Sequence, residues 1–465
     1  MKINSFFNKF ILISDIMLIG DNMYNNKKMF ILGMARSGYE VAKLLARYNC
    51  DILITDAKEQ DANHVDELKK LGIDLIVSSN PEDLLTTEFD YVVKNPGIKL
   101  DHPVCLKAES LNIPVINELE VAYHYLPSGV KIIGITGSNG KTTTTTLTYE
   151  FLKSANLKVH LGGNIGYPMS SLANMIEPND LIVLELSAQQ LHDFKDFKTD
   201  IGILTNLTLV HLDHFKTYEN YKRCKKKVFE HHTNLDIAIL NGNDLDVLSL
   251  TDDIKSKKIS FSSDKKCDLY IEKEAIYYKN DEIIKLDEIR VKGNHNYENI
   301  MCAIAVAKEF NVSNDVIKEV LNNFKGVEHR LEFVKELNNR VFYNDSKATN
   351  VKSTIIALSS FNKSTILLLG GLDRNHSFDE LLPFMKNVRF VSCYGQTKDR
   401  IESFCKDNNI ECYKSEVLEQ ALKIAYDLSN EGEVILLSPA CASWDQYDKF
   451  EDRGDDFKRV IDSLR

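Results

Sequence analysis

Short apolar runs rich in Val, Ile and Leu recur along the chain, and helix-length segments separate them. This is the α/β pattern, in which buried strands alternate with the helices that cover a sheet. Residues 29–32 predict a buried strand, Gly33 opens a turn, and 39–48 read as a helix. Strands follow at 51–55, just before Asp56, and at 73–77, 91–93 and 115–116. A second series starts with a strand at 131–136, a Gly-rich turn and a long Thr-rich helix, and continues with strands at 181–186 and 201–205. Residues 268–292 break the pattern. There Tyr270-Ile271 and Ile276-Tyr277-Tyr278 alternate with charges around Lys279-Asn280-Asp281, which predicts a hairpin-like insertion and not a βαβ unit. Helices at about 295–310 and 315–324 lead to Gly326, after which a third series carries strands at 340–343, 366–369, 390–393 and 434–437. The expectation is three successive α/β domains, each built on its own sheet, over residues 29–120, 121–326 and 327–465.

Length agrees with this division, since 465 residues at roughly 100–200 per domain give two to four domains. A hydrophobic share of 43% and a charged share of 27% exclude a largely disordered chain. With 57 basic and 68 acidic residues the net charge is −11, which repels phosphate backbones and argues against long nucleic acid as a partner. Small phosphorylated ligands remain open, because a local pocket can oppose the global charge. The nine cysteines are dispersed and form no C-x-x-C pair, which suits a reducing cytoplasm. The apolar stretch at 6–20 is too short to span a bilayer, carries Asp15, and lacks a small-residue cleavage site. Met17, Met23 and Met29 follow, so residues 1–28 read as an extension upstream of the true start, and no membrane association is expected.

Gly134-Ile135-Thr136-Gly137-Ser138-Asn139-Gly140-Lys141-Thr142-Thr143 lies between a predicted strand and a predicted helix. In that setting backbone N–H groups and the helix N-terminus converge on phosphate oxygens. Lys141 would reach the β- and γ-phosphates and the Thr142 hydroxyl would coordinate Mg²⁺, with Gly137, Ser138, Asn139, Gly140 and Thr143 lining the loop. The strict G-x-x-x-x-G-K-[ST] pattern fails at its first position, Ile135. A turn with an incidental lysine is a poor competitor at the one place where strand feeds helix. An ATP site is expected. Gly33-Met34-Ala35-Arg36-Ser37-Gly38 also joins a strand to a helix, with Asp56 ending the next strand, as in a dinucleotide fold. Ala35 replaces the second glycine, so a simple turn is an even alternative to a second nucleotide-like ligand.

Gly-Ser-Asn-Gly-Lys-Thr-Thr in the central one of three α/β domains resembles the Mur ligase family, which builds the peptide stem of peptidoglycan. Folylpolyglutamate synthases share this core. Later motifs resemble the D-glutamate-adding members of the family: Gly163-Asn164-Ile165-Gly166, Glu185-Leu186-Ser187-Ala188-Gln189-Gln190-Leu191, Gly326-Val327-Glu328-His329-Arg330, Asn344-Asp345-Ser346-Lys347-Ala348-Thr349-Asn350 and Ser438-Pro439-Ala440-Cys441-Ala442-Ser443-Trp444-Asp445-Gln446-Tyr447. The resemblance runs from about residue 29 onward. It implies a Rossmann-like UDP-binding domain, a central P-loop ATPase domain and a C-terminal Rossmann-like domain that closes over the amino acid. It also implies a cytoplasmic, ATP-dependent amide ligase, expected to be monomeric, that adds D-glutamate to UDP-N-acetylmuramoyl-L-alanine through an acyl-phosphate. By the same resemblance Arg36, Ser37, Thr55 and Asp56 would hold the uridine, and Asn95 and Gly97 would approach the diphosphate. Asn164, Ser187 and Gln190 would contact the muramoyl-alanine part. Asn296, Asn299 and Asp345 would take adenine and ribose, although helix capping is the common role of asparagines so placed. Lys347, Thr349, Arg374, Ser443 and Phe450 would take D-glutamate, and Trp444 is an ordinary packing candidate.

Activating a carboxylate with ATP brings two anions together and demands cationic neutralisation. Lys141 supplies one charge, and Arg330 would reach the γ-phosphate with its planar fork. Glu185 ends a strand as a hard oxygen ligand for Mg²⁺, and His211 resembles the family's ligand to a second Mg²⁺. A surface acid and a hydrogen-bonded core histidine are the ordinary alternatives for these two. The basic run Tyr221-Lys222-Arg223-Cys224-Lys225-Lys226-Lys227-Val228-Phe229 would usually be a solvated face. In the family this place carries a carbamylated lysine, a metal-bridging carboxylate. Lys225 shares a helical face with Tyr221 and Phe229, and burial beside cations favours the neutral amine that carbamylation requires. Lys226 is the off-register alternative. The rival readings are another Mur ligase or a folylpolyglutamate synthase, a silent nucleotide-binding scaffold, and a P-loop kinase.

Overall fold

The computed structural model describes residues 23–99, 101–209 and 212–464, the side chains of Leu212 and Asp213 excepted. The apolar stretch at 6–20 and His211 lie outside them. The chain forms two compact units, one up to Asn322 and one from Asn323 onward.

The first unit holds two sheets. Strands β1 (Lys28–Leu32), β2 (Asp51–Asp56), β3 (Leu75–Val77), β4 (Tyr91–Lys94) and β5 (Val115–Ile116) form a parallel sheet in the order 3-2-1-4-5. Tyr24, within the stretch expected to be an extension, is buried edge-on against Tyr91 and His124, and Lys28 already pairs with Asp51. The second sheet comprises β6 (Lys131–Thr136), β7 (Val159–Gly163), β8 (Leu181–Glu185), β9 (Ile201–Leu204), β10 (Ile237–Asn241), β11 (Lys257–Ser262), β12 (Leu269–Glu272), β13 (Ala275–Tyr278) and β14 (Asp281–Lys285). Their order is 14-13-12-11-10-9-6-8-7. β12 to β14 are the predicted hairpin-like segment. They form an antiparallel meander, but β12 pairs in parallel with β11, so the segment extends the main sheet.

One continuous apolar core runs through both sheets, from Ile31, Leu44 and Ile116 to Ile182, Leu184 and Leu204. Polar ties reinforce it. Lys94 and Asp193 form a fully buried ion pair at 3.0 Å, and the Asn117 side chain donates to the Gln190 carbonyl at 2.7 Å. Glu118 accepts from the Ser170 N–H at 3.0 Å, and burial raises its carboxyl to about 6.

The second unit carries β15 (Glu332–Leu337), β16 (Arg340–Asn344), β17 (Thr365–Gly370), β18 (Val388–Tyr394), β19 (Glu411–Lys414) and β20 (Val434–Leu437) in the order 15-16-20-17-18-19. Only β15 runs antiparallel to its neighbour. In each sheet the strand order reverses beside a central strand, and that reversal opens a crevice at the carboxyl ends of the strands. The three crevices lie after β1 and β4, after β6, and after β16, β17 and β20. Nearly all the predicted site residues sit at them.

Candidate active site

The Gly-rich loop after β6 occupies the crevice between β8 and β9. Gly137 and Gly140 cannot carry a side chain there. A Cβ on Gly137 would stand 1.9 Å from the Thr205 hydroxyl, and one on Gly140 (φ +80°) 2.0 Å from the Asn299 amide oxygen. The segment after β9 braces the loop from beneath. The Ser138 N–H donates to the Asn206 carbonyl at 2.9 Å, the Asn139 N–H to Asn206 Oδ1 at 2.9 Å, and the Thr205 hydroxyl to the Asn139 carbonyl at 2.6 Å. Helix Lys141–Ser154 therefore starts at the crevice, directly after the braced loop. Lys141 folds back over the loop, donating to the Gly137 and Ser138 carbonyls at 3.0 and 2.9 Å, while Thr142 is buried and Thr143 half-buried. Thr205 and Asn206 were missed in the sequence, where Thr-Asn after an apolar strand looks like any loop start.

Lys225 reaches this crevice from the helix Tyr218–Lys226. It is 1% exposed and its face-mates Tyr221 and Phe229 are buried too, whereas Lys226 is half-buried and pairs with the exposed Asp253. The face read from the i±4 spacing is thus the buried one. Lys225 Nζ donates to the Thr136 hydroxyl at 2.8 Å. Burial, with the charge of Lys141 adding to it, holds the amine well below the ordinary lysine range, and Glu185 opposes that shift. Glu185 ends β8 and is 2% exposed, so it is no surface acid. Its Oε1 accepts from Asn164 Nδ2 at 2.7 Å, while Oε2 is buried with no hydrogen-bond partner. An orphaned carboxylate oxygen costs several kcal/mol in order of magnitude unless a cation or donor satisfies it. Glu185 Oε2 and the Thr142 hydroxyl are thus oxygen donors of the kind that suits a hard divalent cation.

Asn299 is buried against Gly140 and the Thr144 hydroxyl, while Asn296 is more exposed and donates to the Lys292 carbonyl at 2.9 Å. Neither caps its helix, whose N-cap is Gly293. Ser187 and Gln190 engage each other in a capping box that starts the helix Ala188–His192, so their side chains are partly committed.

At the crevice of the first sheet, Gly33 has φ +91° and a Cβ on Gly38 would lie 1.9 Å from the Gly33 carbonyl, so the turn needs both glycines. Asp56 accepts from the Met34 N–H at 2.8 Å, Asn95 donates to the Ser37 hydroxyl at 3.1 Å, and the Gly97 N–H donates to Asn95 Oδ1 at 3.0 Å. Arg36 lies 5.4 Å over the ring of Tyr167, in the loop that follows β7. Thr55 is fully buried, and its hydroxyl donates to the Ile76 carbonyl within the sheet, leaving it no donor for a ligand.

The remaining predicted residues gather in the second unit. Asp345 is 5% exposed, accepts from the Ser438 hydroxyl at 2.7 Å and the Leu331 N–H at 3.2 Å, and has its carboxyl raised by burial to about 7. Arg330 is half-buried in a tight turn whose flanking residues His329 and Leu331 both have positive φ, a strain typical of functional loops. Lys347 sits 5.7 Å over the Phe450 ring, Arg374 sits 4.9 Å over the exposed Trp444 ring, Ser443 is buried, and Thr349 is half-buried. Trp444 is therefore not core packing.

Residues 27–117 match the Mur ligase MurD-like N-terminal domain, 135–307 the Mur ligase middle domain, and 329–441 the Mur ligase glutamate ligase domain. The chain is 43% identical over 447 residues to a UDP-N-acetylmuramoylalanine--D-glutamate ligase of Geobacillus sp. (strain WCH70), covering 95% of this chain and 99% of that protein. It is 41% identical over 445 residues to the ligase of the same name from Bacillus mycoides (strain KBAB4), covering 95% and 98%. Among solved structures, UDP-N-acetylmuramate-alanine ligase MurC of Thermotoga maritima has the same fold, with a TM-score of 0.59 at 19% identity over 94% of this chain and 100% of that one. MurF ligase of Thermotoga maritima, solved in complex with ADP, gives a TM-score of 0.57 at 16% identity over 97% and 99%. The chain belongs to the Mur ligase family, in its UDP-N-acetylmuramoylalanine--D-glutamate ligase branch.

Proposed function

We propose that this chain joins D-glutamate to UDP-N-acetylmuramoyl-L-alanine in an ATP-dependent reaction, as a monomer in the cytoplasm. The observation that carries the site assignment is the buried Lys225 amine at the end of β6, beside the orphaned Glu185 oxygen and the Lys141 loop. In this reading the alanyl carboxylate attacks the γ-phosphate of ATP to give an acyl-phosphate and ADP. The amine of D-glutamate then attacks the acyl carbon, and the tetrahedral intermediate collapses with loss of phosphate.

Each step asks something specific of the residues. Ser138 and Asn139, held by Asn206, fix the shape of the loop, the start of helix Lys141–Ser154 would turn its N–H groups to the phosphates, and Lys141 would leave its loop carbonyls to neutralise the transferring group. Asn299 borders the nucleotide side of the loop. Thr142, Glu185, His211 and Lys225, the last as its carbamate, would hold Mg²⁺ at two sites. Bound Mg²⁺ supplies the positive charge that lets two anions approach. Carbamylation requires an unprotonated amine, which burial of Lys225 supports; the Thr136 hydroxyl fixes its direction.

Arg36, Ser37, Asp56, Asn95 and Gly97 would hold the UDP moiety at the first crevice, with Thr55 shaping the strand and not the ligand. Asn164, Ser187 and Gln190 would face the muramoyl-alanine part. In the second unit, Arg330 and Asp345 are the proposed nucleotide-binding residues, and Lys347, Thr349, Arg374, Ser443 and Phe450 would take the dicarboxylate amino acid. Domain boundaries near residues 120 and 326 fit this division of labour.

The test is phosphate release with UDP-N-acetylmuramoyl-L-alanine, ATP and a panel of amino acids, with the product mass recorded. D-glutamate incorporation is expected. Turnover with a different amino acid, or a phosphorylated product with none incorporated, would overturn the proposal.

A further inference from the structure

The helix Phe450–Ser463 opens with Glu451-Asp452-Arg453-Gly454-Asp455-Asp456, a run that suggests a charged, solvated turn. Arg453 is instead fully buried, the largest side chain to be so among the described residues. No carboxylate among the described residues lies within ion-pairing distance of it. Its donors go to three separate loops. Nε donates to the Ser346 hydroxyl at 2.9 Å and Nη2 to the Ser346 carbonyl at 2.7 Å. Nη1 donates to the Cys441 carbonyl at 3.0 Å and, more weakly, to the Gly370 carbonyl at 3.5 Å. The Ser346 hydroxyl, accepting from Arg453, in turn donates to the Phe450 carbonyl at 2.8 Å.

These loops leave the carboxyl ends of β16, β17 and β20, where the sheet order reverses. Ser346 precedes Lys347 and Thr349, Gly370 leads into the segment with Arg374, Cys441 lies two residues before Ser443, and Phe450 starts the arginine's own helix. One guanidinium thus ties together every segment that bears a proposed D-glutamate residue. The surroundings are built to admit it. Gly371 has φ +139°, and a Cβ there would stand 3.1 Å from Arg453 Nη1 and 2.3 Å from the Ala442 carbonyl. Lysine cannot substitute for this arrangement, because a single ammonium lacks the rigid fork that spans several carbonyls at once.

We propose that Arg453 is a positioning residue that sets the geometry of the amino-acid site, acting through Ser346, Gly370 and Cys441 without touching the substrate. The inference rests on the proposed function, since it concerns the subsite for the acceptor amino acid. Misplacing binding groups by about 1 Å costs up to roughly 100-fold in efficiency, and Arg453→Lys loosens several of them together.

The test uses the full chain and compares wild type, Arg453→Lys and Ser346→Ala. For each, the KM values for D-glutamate, ATP and the UDP-substrate are measured together with the thermal unfolding midpoint. The expected result for Arg453→Lys is a KM for D-glutamate raised about 10- to 100-fold, with the other two KM values within about twofold and a folded protein. Ser346→Ala keeps the arginine but breaks its link to Phe450, and a smaller rise confined to D-glutamate is expected. If Arg453→Lys fails to fold, Ser346→Ala decides on the same criterion. An unchanged KM for D-glutamate in a folded variant overturns the proposal. So does a parallel loss across all three substrates that tracks the unfolding midpoint, since that is what a purely structural residue produces. Failure of the wild type to couple D-glutamate at all would instead refute the proposed function.

Discussion

Replacing Gly140 with alanine probes the geometry of the phosphate-binding loop at one atom. Gly140 has φ +80° and ψ −10° at the start of helix Lys141–Ser154, where a side chain is strained whatever space it finds. Space is also lacking, because the new Cβ would lie 2.0 Å from Asn299 Oδ1 and 2.9 Å from its Cγ. A left-handed non-glycine residue costs roughly 1–3 kcal/mol, and driving the buried Asn299 off its rotamer adds about 0.5–1.5 kcal/mol. The combined loss is about 1.5–4.5 kcal/mol. If the loop keeps its shape, the loss is read in urea unfolding. If the loop relaxes when empty, it is read as ATP binding weakened by roughly 10- to 2000-fold. Both should be measured, by unfolding and by titration with a fluorescent ATP analogue, and their free-energy changes added. Asn299→Ala in the same background removes the clash but not the backbone strain, so the double variant should recover about 0.5–1.5 kcal/mol of unfolding free energy. A Gly140→Ala protein that matches wild type in both assays would refute the reasoning. Full recovery in the double variant would refute the strain part of it.

Three further perturbations address the rest of the molecule. Lys225→Ala should abolish ligation at any bicarbonate concentration, whereas wild type stripped of CO₂ should lose activity and regain it on adding bicarbonate; full activity of Lys225→Ala would reject the assignment. Asp345, whose carboxyl is raised from 3.8 to about 7, holds its proton more tightly folded than unfolded. Its contribution to stability is therefore complete below pH 3.8 and is lost as pH rises through 7, at up to about 1.4 kcal/mol per pH unit. Asp345→Asn should flatten the fall in unfolding free energy over that window, and an unaltered slope would contradict the shift. Lys94→Met leaves the Asp193 carboxylate buried without its partner and should cost about 3–5 kcal/mol in chemical unfolding, part of which Asp193→Leu should restore.

The P-loop, the strand-end glutamate and the buried lysine were legible because local rules govern them. A glycine-rich turn between strand and helix has one architecture, and an i±4 relation to Tyr221 and Phe229 places Lys225 on their face wherever the helix packs. Lys226, one residue on, turns toward the surface and the exposed Asp253 for the same reason. Three-dimensional partners governed what was missed. The Thr55 hydroxyl turns inward because Ile76 of the neighbouring strand offers a carbonyl, and no pattern around Asp51–Asp56 announces that. Arg453 stands in an acidic run that reads as surface, and only the meeting of three distant loops gives its fork enough acceptors to be buried. The edge segment β12 to β14 kept its predicted hairpin character, but its attachment to β11 depends on a parallel pairing that alternation cannot reveal. Strand β7 escaped notice because Val159–Gly163 contains little but glycine, histidine and two aliphatic residues.

Transfer of a single oxygen tests the central claim most directly. UDP-N-acetylmuramoyl-L-alanine labelled with ¹⁸O in its carboxylate would be turned over with ATP and D-glutamate, and the released phosphate analysed by mass spectrometry. Activation through an acyl-phosphate predicts one ¹⁸O atom in each phosphate released and one retained in the new amide. Unlabelled phosphate alongside the ligated product would contradict the account.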